Sequence, residues 1–260
     1  MTRIATVNYH VRSDDRQAYH IDAGGIEGQI IAPEHAMTEV TLLDQRAGEA
    51  NVTFAADGIE FAILPTAVEA FDADNAWQDV YDAELTDLLT SSLGAKEVVI
   101  FDHTIREDDP KSGRKPARNV HSDYSPEGAD RRLTDILGPE RAEDWRNGHY
   151  RFVNVWRPLD NPINSAPLGF VRPASVAADD WMLIDLIYPD RRGHIMGLAA
   201  NPAHEWIYRS NMRPDEIVFF NIYDNRGLPS VAHSAMDRIE DPSVTTIRKS
   251  LESRTLLRLG

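Results

Sequence analysis

The second half of the chain is built of short segments that favour β-structure, and this pattern constrains the fold most strongly. After Gly148, segments rich in β-branched and aromatic residues alternate with Pro, Gly, Asn and Asp, which are typical of turns. These segments are 151–157, 181–188, 194–200, 204–209, 216–223 and 247–257. Many short strands with few helices predict a mainly β protein with a jelly-roll core.

The first half predicts the remaining strands and two helices that flank the core. Its strands include 40–43, 61–64 and 98–101, and the helices cover 77–93 and 130–145, the second broken near 138–139. Apolar residues at helical spacing support the first helix, and Gly94 is a natural end for it. We therefore expect one domain over residues 1–260, with N-terminal strands, helix and loop in 1–119 and the jelly-roll core in 120–260.

Composition excludes several classes of protein. The chain has 260 residues, 42% of them hydrophobic, which is enough for one large core. It contains no apolar run near the ~20 residues that span a bilayer, and residues 1–8 show no secretory signal. A net charge of −15 disfavours a nucleic-acid partner. The absence of cysteine leaves His, Asp and Glu as metal ligands and is compatible with the cytoplasm.

A polar stretch, residues 103–119, is predicted to be an exposed loop. It leads directly into a candidate metal strand, so it is either a mobile lid or an ordinary connection. Its basic residues are Lys111, Arg114, Lys115 and Arg118. Either these residues lie on a solvent-exposed loop, or they act near an anionic substrate.

Three residues carry the strongest chemical signal. His121 and Asp123 are two positions apart and would share one face of a strand, and His233 would join them from a remote strand. Two imidazoles and one carboxylate form the facial ligand set of iron(II) oxygenases, which leaves coordination positions free. A second His-x-Asp pair, His20 and Asp22, is rejected because Ala-Gly-Gly follows it at once and ends the strand.

A cation and a hydroxyl follow the second histidine. Arg248 can hold a carboxylate through two parallel hydrogen bonds, and Ser250 would lie on the same strand face. This pair is placed as an anchor for 2-oxoglutarate would be. The alternative is that Arg248, Ser250, Glu252 and Arg254 form the solvent-facing side of an edge strand.

At these residues the sequence resembles the CmcJ/NvfI-type oxygenases, which include the AsaB-like hydroxylase/desaturases. The resemblance covers nearly the whole chain. Its marks are 101–106 (FDHTIR), 120–124 (VHSDY), 154–158 (NVWRP), 188–191 (YPDR), 201–206 (NPAHEW), 212–216 (MRPDE), 233–235 (HSA) and 248–254 (RKSLESR). Their order and spacing make a chance match improbable.

The resemblance implies a double-stranded β-helix fold with iron(II) on His121, Asp123 and His233. It also implies an enzyme that uses 2-oxoglutarate and O₂ to oxidise an unactivated C–H bond of a small molecule, with hydroxylation or desaturation as the outcome. A secondary metabolite is the expected substrate. The sequence leaves the oligomeric state open, and a homodimer is compatible with it.

The co-substrate side of the site follows from the same resemblance. Arg248 and Ser250 would hold 2-oxoglutarate, and Asn154, on a strand lining the barrel, would lie near the co-substrate or beside the metal ligands. The chain departs from the family pattern at Asn221, where many relatives carry lysine, and in 227–232, which lacks an expected arginine. Both positions are expected near the pocket.

Two other classes of function compete with an oxygenase. A non-catalytic jelly-roll protein would bind a small molecule and would not turn over 2-oxoglutarate. A zinc hydrolase would use two histidines and a carboxylate to activate water. The sequence has no His-Glu-x-x-His helix, and a hydrolase would leave Arg248 and Ser250 without a purpose.

Overall fold

A computed structural model of the chain describes residues 3–26, 29–72 and 74–260. Along these residues the strands are β1 (Arg3–His10), β2 (Ala18–Ile21), β3 (Ile30–Ile31), β4 (His35–Asp44), β5 (Ile59–Ile63), β6 (Glu97–Glu107), β7 (His121–Ser122), β8 (His149–Pro158), β9 (Leu168–Val171), β10 (Trp181–Ile187), β11 (Arg192–Leu198), β12 (Trp206–Tyr208), β13 (Glu216–Asp224), β14 (His233–Ala235) and β15 (Lys249–Leu259). The helices are α1 (Phe54–Asp57), α2 (Gln78–Leu93), α3 (Pro126–Leu137) and α4 (Pro139–Asn147).

The strands form two sheets. The larger sheet has the order β1-β4-β12-β9-β14-β7-β11-β10-β2-β3, and the smaller has the order β5-β13-β8-β15-β6. Strands from before and after residue 119 pair in both sheets, because β4 adjoins β12, β5 adjoins β13 and β6 adjoins β15. The predicted mainly β architecture is confirmed.

The main core lies between the sheets. Phe170 and Ile207 of the larger sheet pack in one buried cluster with Phe152, Trp156 and Phe220 of the smaller sheet. These residues alternate with others that point to the opposite face of their strands, as expected for a two-layer β-sandwich. The site described below lies on the inner faces of the same two sheets.

The helices cover outer surfaces, as the sequence predicts. α2 buries Tyr81, Leu85 and Leu89 against the outer face of the smaller sheet and ends at Gly94, whose φ of 67° is left-handed. None of the helices in the described part of the chain is long and apolar enough to cross a membrane.

The second predicted helix is divided where its break was expected. α3 and α4 meet at Gly138, whose φ is 77°. α3 begins earlier than residue 130, because the side chain of Ser125 accepts a hydrogen bond from the backbone N–H of Gly128 and Pro126 occupies the first turn. The N-cap residue lies two positions after Asp123, so the helix begins three residues after it.

The sequence prediction is wrong for residues 103–107, which continue β6 instead of opening a loop. Asp102, Thr104 and Arg106 lie on one face of this strand, opposite the residues of β15. That face is polar because it borders the charged interior described below. Alternating polar residues therefore gave the appearance of a loop, and the connection to β7 begins only at residue 108.

Candidate metal centre and co-substrate pocket

The two predicted histidine ligands lie side by side in the larger sheet. β7 pairs with β14 so that His121 is directly opposite His233. Directly opposed residues of antiparallel strands project from the same face of the sheet. The two imidazole rings consequently meet on the inner face, with their centroids 4.6 Å apart.

Asp123 completes the group where the chain leaves β7. Its Oδ1 lies 3.5 Å from Nε2 of His121. One ligand atom from each of His121, Asp123 and His233 lies within 4.8 Å of the others. In the described part of the chain, this is the one group of three or more His, Cys, Asp or Glu residues that could hold a metal ion. The rejected pair at His20 and Asp22 is not part of any such group.

Each imidazole is oriented by the carbonyl of the residue two positions before it. Nδ1 of His121 lies 2.8 Å from the carbonyl oxygen of Asn119, and Nδ1 of His233 lies 3.3 Å from that of Val231. Only a protonated nitrogen can donate to a carbonyl, so these contacts favour the tautomer with the proton on Nδ1. Nε2 then keeps its lone pair, which a metal ion requires.

The carboxylate of Asp123 is oriented from the opposite sheet. Its Oδ2 accepts hydrogen bonds from Nδ2 of Asn154 (2.9 Å) and Nε of Arg254 (3.1 Å). Oδ1 stays directed toward His121. The structure thus places Asn154 against the candidate metal ligand, which is the second of the two positions expected for it. Arg254 also pairs with Asp102 (2.5 Å) and with Glu252.

The protonation states suit a divalent cation. Burial alone would raise the pKa of Asp123, but the charge of Arg254 and the contacts with the histidines hold that pKa well below its usual range. Burial, with a smaller contribution from His121, lowers the pKa of His233 to about 4. The group therefore offers an ionised carboxylate and a neutral imidazole near neutral pH, which fits the charge and donor types that iron(II) binds.

Buried imidazoles make the metal-free protein sensitive to acid. Burial lowers the pKa of His10 to about 3 and that of His233 to about 4, from 6.5 in an unfolded chain. Between pH 6.5 and 4 the unfolded chain binds more protons than the folded one, so stability is lost as the pH falls. We expect the free energy of unfolding in urea to decrease by a few kcal/mol over this range. A constant value would contradict this prediction.

Arg248 and Ser250 lie in the interior and do not form an exposed edge. β15 pairs with both β6 and β8, so it is a central strand, and the alternative of a solvent-facing edge strand is wrong. Arg248 is 4% exposed and Ser250 is 0% exposed. The guanidinium of Arg248 lies 5.3 Å from the ring centroid of Trp156, which belongs to the inner core.

This pair has hydrogen-bonding groups without partners. Nε and Nη1 of Arg248 and Oγ of Ser250 are buried and make no hydrogen bond within the described residues. Burial, together with the nearby charge of Arg106, lowers the pKa of Arg248 to about 9. A desolvated cation with free donors is costly unless an anion binds it. The carboxylate of 2-oxoglutarate fits this arrangement of donors.

Several interior residues were not assigned from the sequence. The sequence places Glu252 and Arg254 only in a family motif or an edge strand, although their alternation with Ser250 indicates that they share one face of β15. Thr104 and Arg106 face the same interior from β6 and were placed in a loop.

Asn221 does not serve the pocket in the expected way. It is 0% exposed, and its Nδ2 donates to the carbonyl oxygens of Leu228 (3.0 Å) and Pro229 (2.9 Å). The side chain thus holds residues 227–232, the segment that leads to His233. The two departures from the family pattern therefore contact each other.

Comparison with known proteins identifies the family. The family model for an oxidoreductase/YMDC permease-like domain matches residues 7–258. The hydroxylase/desaturase efuI of Hormonema carpetanum is 30% identical over 250 residues, which cover 84% of this chain and 82% of that protein. The Fe(II)/2-oxoglutarate-dependent dioxygenase nvfI of Aspergillus novofumigatus is 30% identical over 207 residues, covering 76% and 74%. The chain belongs to this family of non-haem iron(II)/2-oxoglutarate-dependent oxygenases.

The fold of the family is confirmed by a solved structure. That of the iron and alpha-ketoglutarate-dependent endoperoxidase NvfI superposes with a TM-score of 0.86 at 24% identity, covering 100% of this chain and 98% of that one. The predicted double-stranded β-helix is therefore correct. The predicted class of oxidoreductase is confirmed by the relatives with similar sequences. The family spans hydroxylase, desaturase and endoperoxidase names, so membership does not select one oxidative outcome.

Proposed function

We propose that this chain is an iron(II)/2-oxoglutarate-dependent dioxygenase that oxidises an unactivated C–H bond of a small molecule by hydroxylation or desaturation. One observation carries the proposal: the His121, Asp123 and His233 ligand atoms converge on the same interior that contains the unpartnered donors of Arg248 and Ser250. Family membership supports it independently.

Each residue has a defined task in this proposal. His121, Asp123 and His233 hold iron(II), while Arg248 and Ser250 bind the distal carboxylate of 2-oxoglutarate. When bound, iron(II) supplies the redox chemistry with O₂, and 2-oxoglutarate is converted to succinate and CO₂ as the substrate is oxidised. Asn154 and Arg254 occupy one oxygen of Asp123, which leaves the other oxygen for the metal.

The interior also protects the site from water. The ring of Phe220 lies 4.8 Å from that of His233, and Phe170 packs behind it at 5.0 Å. Both phenylalanines are fully buried. This apolar wall limits the approach of water to the ligand side of the site and favours an organic substrate on the open side.

The proposal extends to the molecule as a whole. Residues 1–260 act as one oxygenase unit, which the pairing of strands across residue 119 supports. The substrate is a small secondary metabolite rather than a nucleic acid, in keeping with the net charge of −15. The absence of cysteine is in keeping with a reducing cytoplasm, the compartment we infer.

The test is turnover of the co-substrate. We expect the protein with iron(II), 2-oxoglutarate and O₂ to release succinate slowly even without a substrate, and to lose this activity under nitrogen or when zinc replaces iron. Succinate is measured by chromatography against a boiled control. No succinate above that control would indicate a binding protein, and hydrolytic activity with zinc under nitrogen would indicate a hydrolase.

A further inference from the structure

Arg106 lies on the same inner face as the proposed co-substrate anchor. β6 pairs with β15 so that Arg106 is directly opposite Ser250, and Arg248 is two residues before Ser250. Opposed residues of antiparallel strands have Cβ atoms about 4.5–5.5 Å apart and share a face. Two arginines and one hydroxyl therefore border one small region of the interior.

The two guanidinium groups repel each other. The charge of Arg106 is the largest influence on the pKa of Arg248 after burial, and it lowers that pKa. Burial likewise lowers the pKa of Arg106. Arg248 is buried, so water screens its repulsion by Arg106 only weakly. Glu252 attracts Arg106, and a further anion between the two arginines would offset the repulsion that lowers the pKa of Arg248.

The neighbouring carboxylates are already engaged. Glu252 pairs with Arg254, and Asp108 pairs with Arg118 at 2.8 Å. Neither Arg106 nor Arg248 has a carboxylate within 4.0 Å along the part of the chain that the structure describes. Nη1 of Arg106 donates to the carbonyl oxygen of Lys115 at 3.0 Å, which orients the guanidinium without neutralising it.

We propose that Arg106 is a second guanidinium, beside Arg248, for the distal carboxylate of 2-oxoglutarate. This inference rests on the proposed function. The carboxylate would lie between Arg106 and Arg248, with Ser250 as a further donor. Its negative charge would relieve the repulsion between the two arginines, and each arginine would gain a charge-assisted hydrogen bond.

The experiment pairs a change in the protein with a change in the ligand. Manganese-loaded wild type and Arg106→Gln are titrated by calorimetry with 2-oxoglutarate and with 2-oxopentanoate, which lacks the distal carboxylate. We expect Arg106→Gln to raise the dissociation constant of 2-oxoglutarate about 10- to 100-fold, the effect of losing one charged hydrogen-bonding group. The constant for 2-oxopentanoate should change little, since it has no carboxylate at that end.

A matched variant tests for a general effect of charge. Arg114→Gln removes an exposed cation from the connection after β6 and should leave both constants near the wild-type values. If Arg106→Gln does not fold, Arg106→Lys carries the test, because lysine keeps the charge but not the two parallel hydrogen bonds, and a several-fold loss for 2-oxoglutarate alone is expected.

Other outcomes overturn the inference. Equal losses for both ligands would show that Arg106 acts through the metal centre or the fold, and unchanged binding would show that it does not contact the co-substrate. Either result leaves the proposed function intact if wild type binds 2-oxoglutarate. A wild-type protein that binds neither keto acid would overturn both proposals.

Discussion

Replacing Asp123 by asparagine is expected to weaken iron(II) binding on the order of a thousandfold and to abolish succinate formation. Structural zinc sites with four ligands bind with about 10–16 kcal/mol, so one ligand contributes about 2.5–4 kcal/mol. The amide also removes the negative charge that balances the metal, and Arg254 then faces the cation directly. Affinity is measured by anaerobic titration, with the visible iron–keto-acid absorption band as a second readout.

Asp102→Asn is the control for this variant. Asp102 pairs with the same arginine at 2.5 Å and is not part of the ligand group, so the variant removes an equal charge without removing a ligand. Groups that directly orient a ligand contribute about 10- to 100-fold to metal affinity. We expect a loss of less than about tenfold for Asp102→Asn, because Asp102 contacts Arg254 and not the ligand itself. If Asp123→Asn bound iron as tightly as Asp102→Asn, the metal centre would have to lie elsewhere.

Arg248→Leu is expected to remove 2-oxoglutarate binding while iron(II) remains bound. Two charge-assisted hydrogen bonds of about 1.5–3 kcal/mol each correspond to on the order of a thousandfold in affinity. The same change removes a buried cation with unpartnered nitrogens, so the melting temperature of the ligand-free protein should not fall and could rise. Calorimetry with the keto acid and thermal unfolding without it measure the two effects.

Lys249→Gln is the control for Arg248→Leu. Lys249 is the next residue of the strand, and its Nζ lies 3.2 Å from Asp160 and 3.7 Å from Glu107. Adjacent residues of a strand point to opposite faces, so the variant removes a cation from the other side of the same sheet. We expect unchanged affinity for 2-oxoglutarate. A loss equal to that of Arg248→Leu would mean that long-range charge, rather than contact, governs binding.

Strand periodicity was sufficient to predict the architecture but not every element. The segments after Gly148 are half-buried or buried, so their composition reports the sheets directly. The strand predicted at the position of β6 is too short. The inner face of β6 is charged, and the alternation of Asp102, Thr104 and Arg106 resembles the pattern of a solvent-exposed segment. β7 has only two residues, too few for any periodic signal.

The candidate site was predictable to the extent that its chemistry is local. His121 and Asp123 are neighbours in sequence, and the need for a third ligand from a remote strand points to His233; the structure brings ligand atoms of all three within 4.8 Å of one another. Arg254 lies 131 positions from Asp123, and its contact depends on the packing of two sheets. No periodic pattern in the sequence predicts a contact between two residues that are so far apart in the chain. The sequence does not predict that Arg106 lies near Ser250 for the same reason, because only the register of β6 against β15 places the two residues opposite each other.

The origin of the hydrogen bonds to the three ligands has a mechanical consequence. The imidazole of His121 is held by the carbonyl of Asn119, just before β7 of the larger sheet, whereas the carboxylate is held by Asn154 and Arg254 of the smaller sheet. A small parting of the layers would therefore disturb the carboxylate before the imidazole of His121. A bound ion would cross-link the two sheets. The retention of that ion would therefore measure how tightly the two sheets are packed against each other.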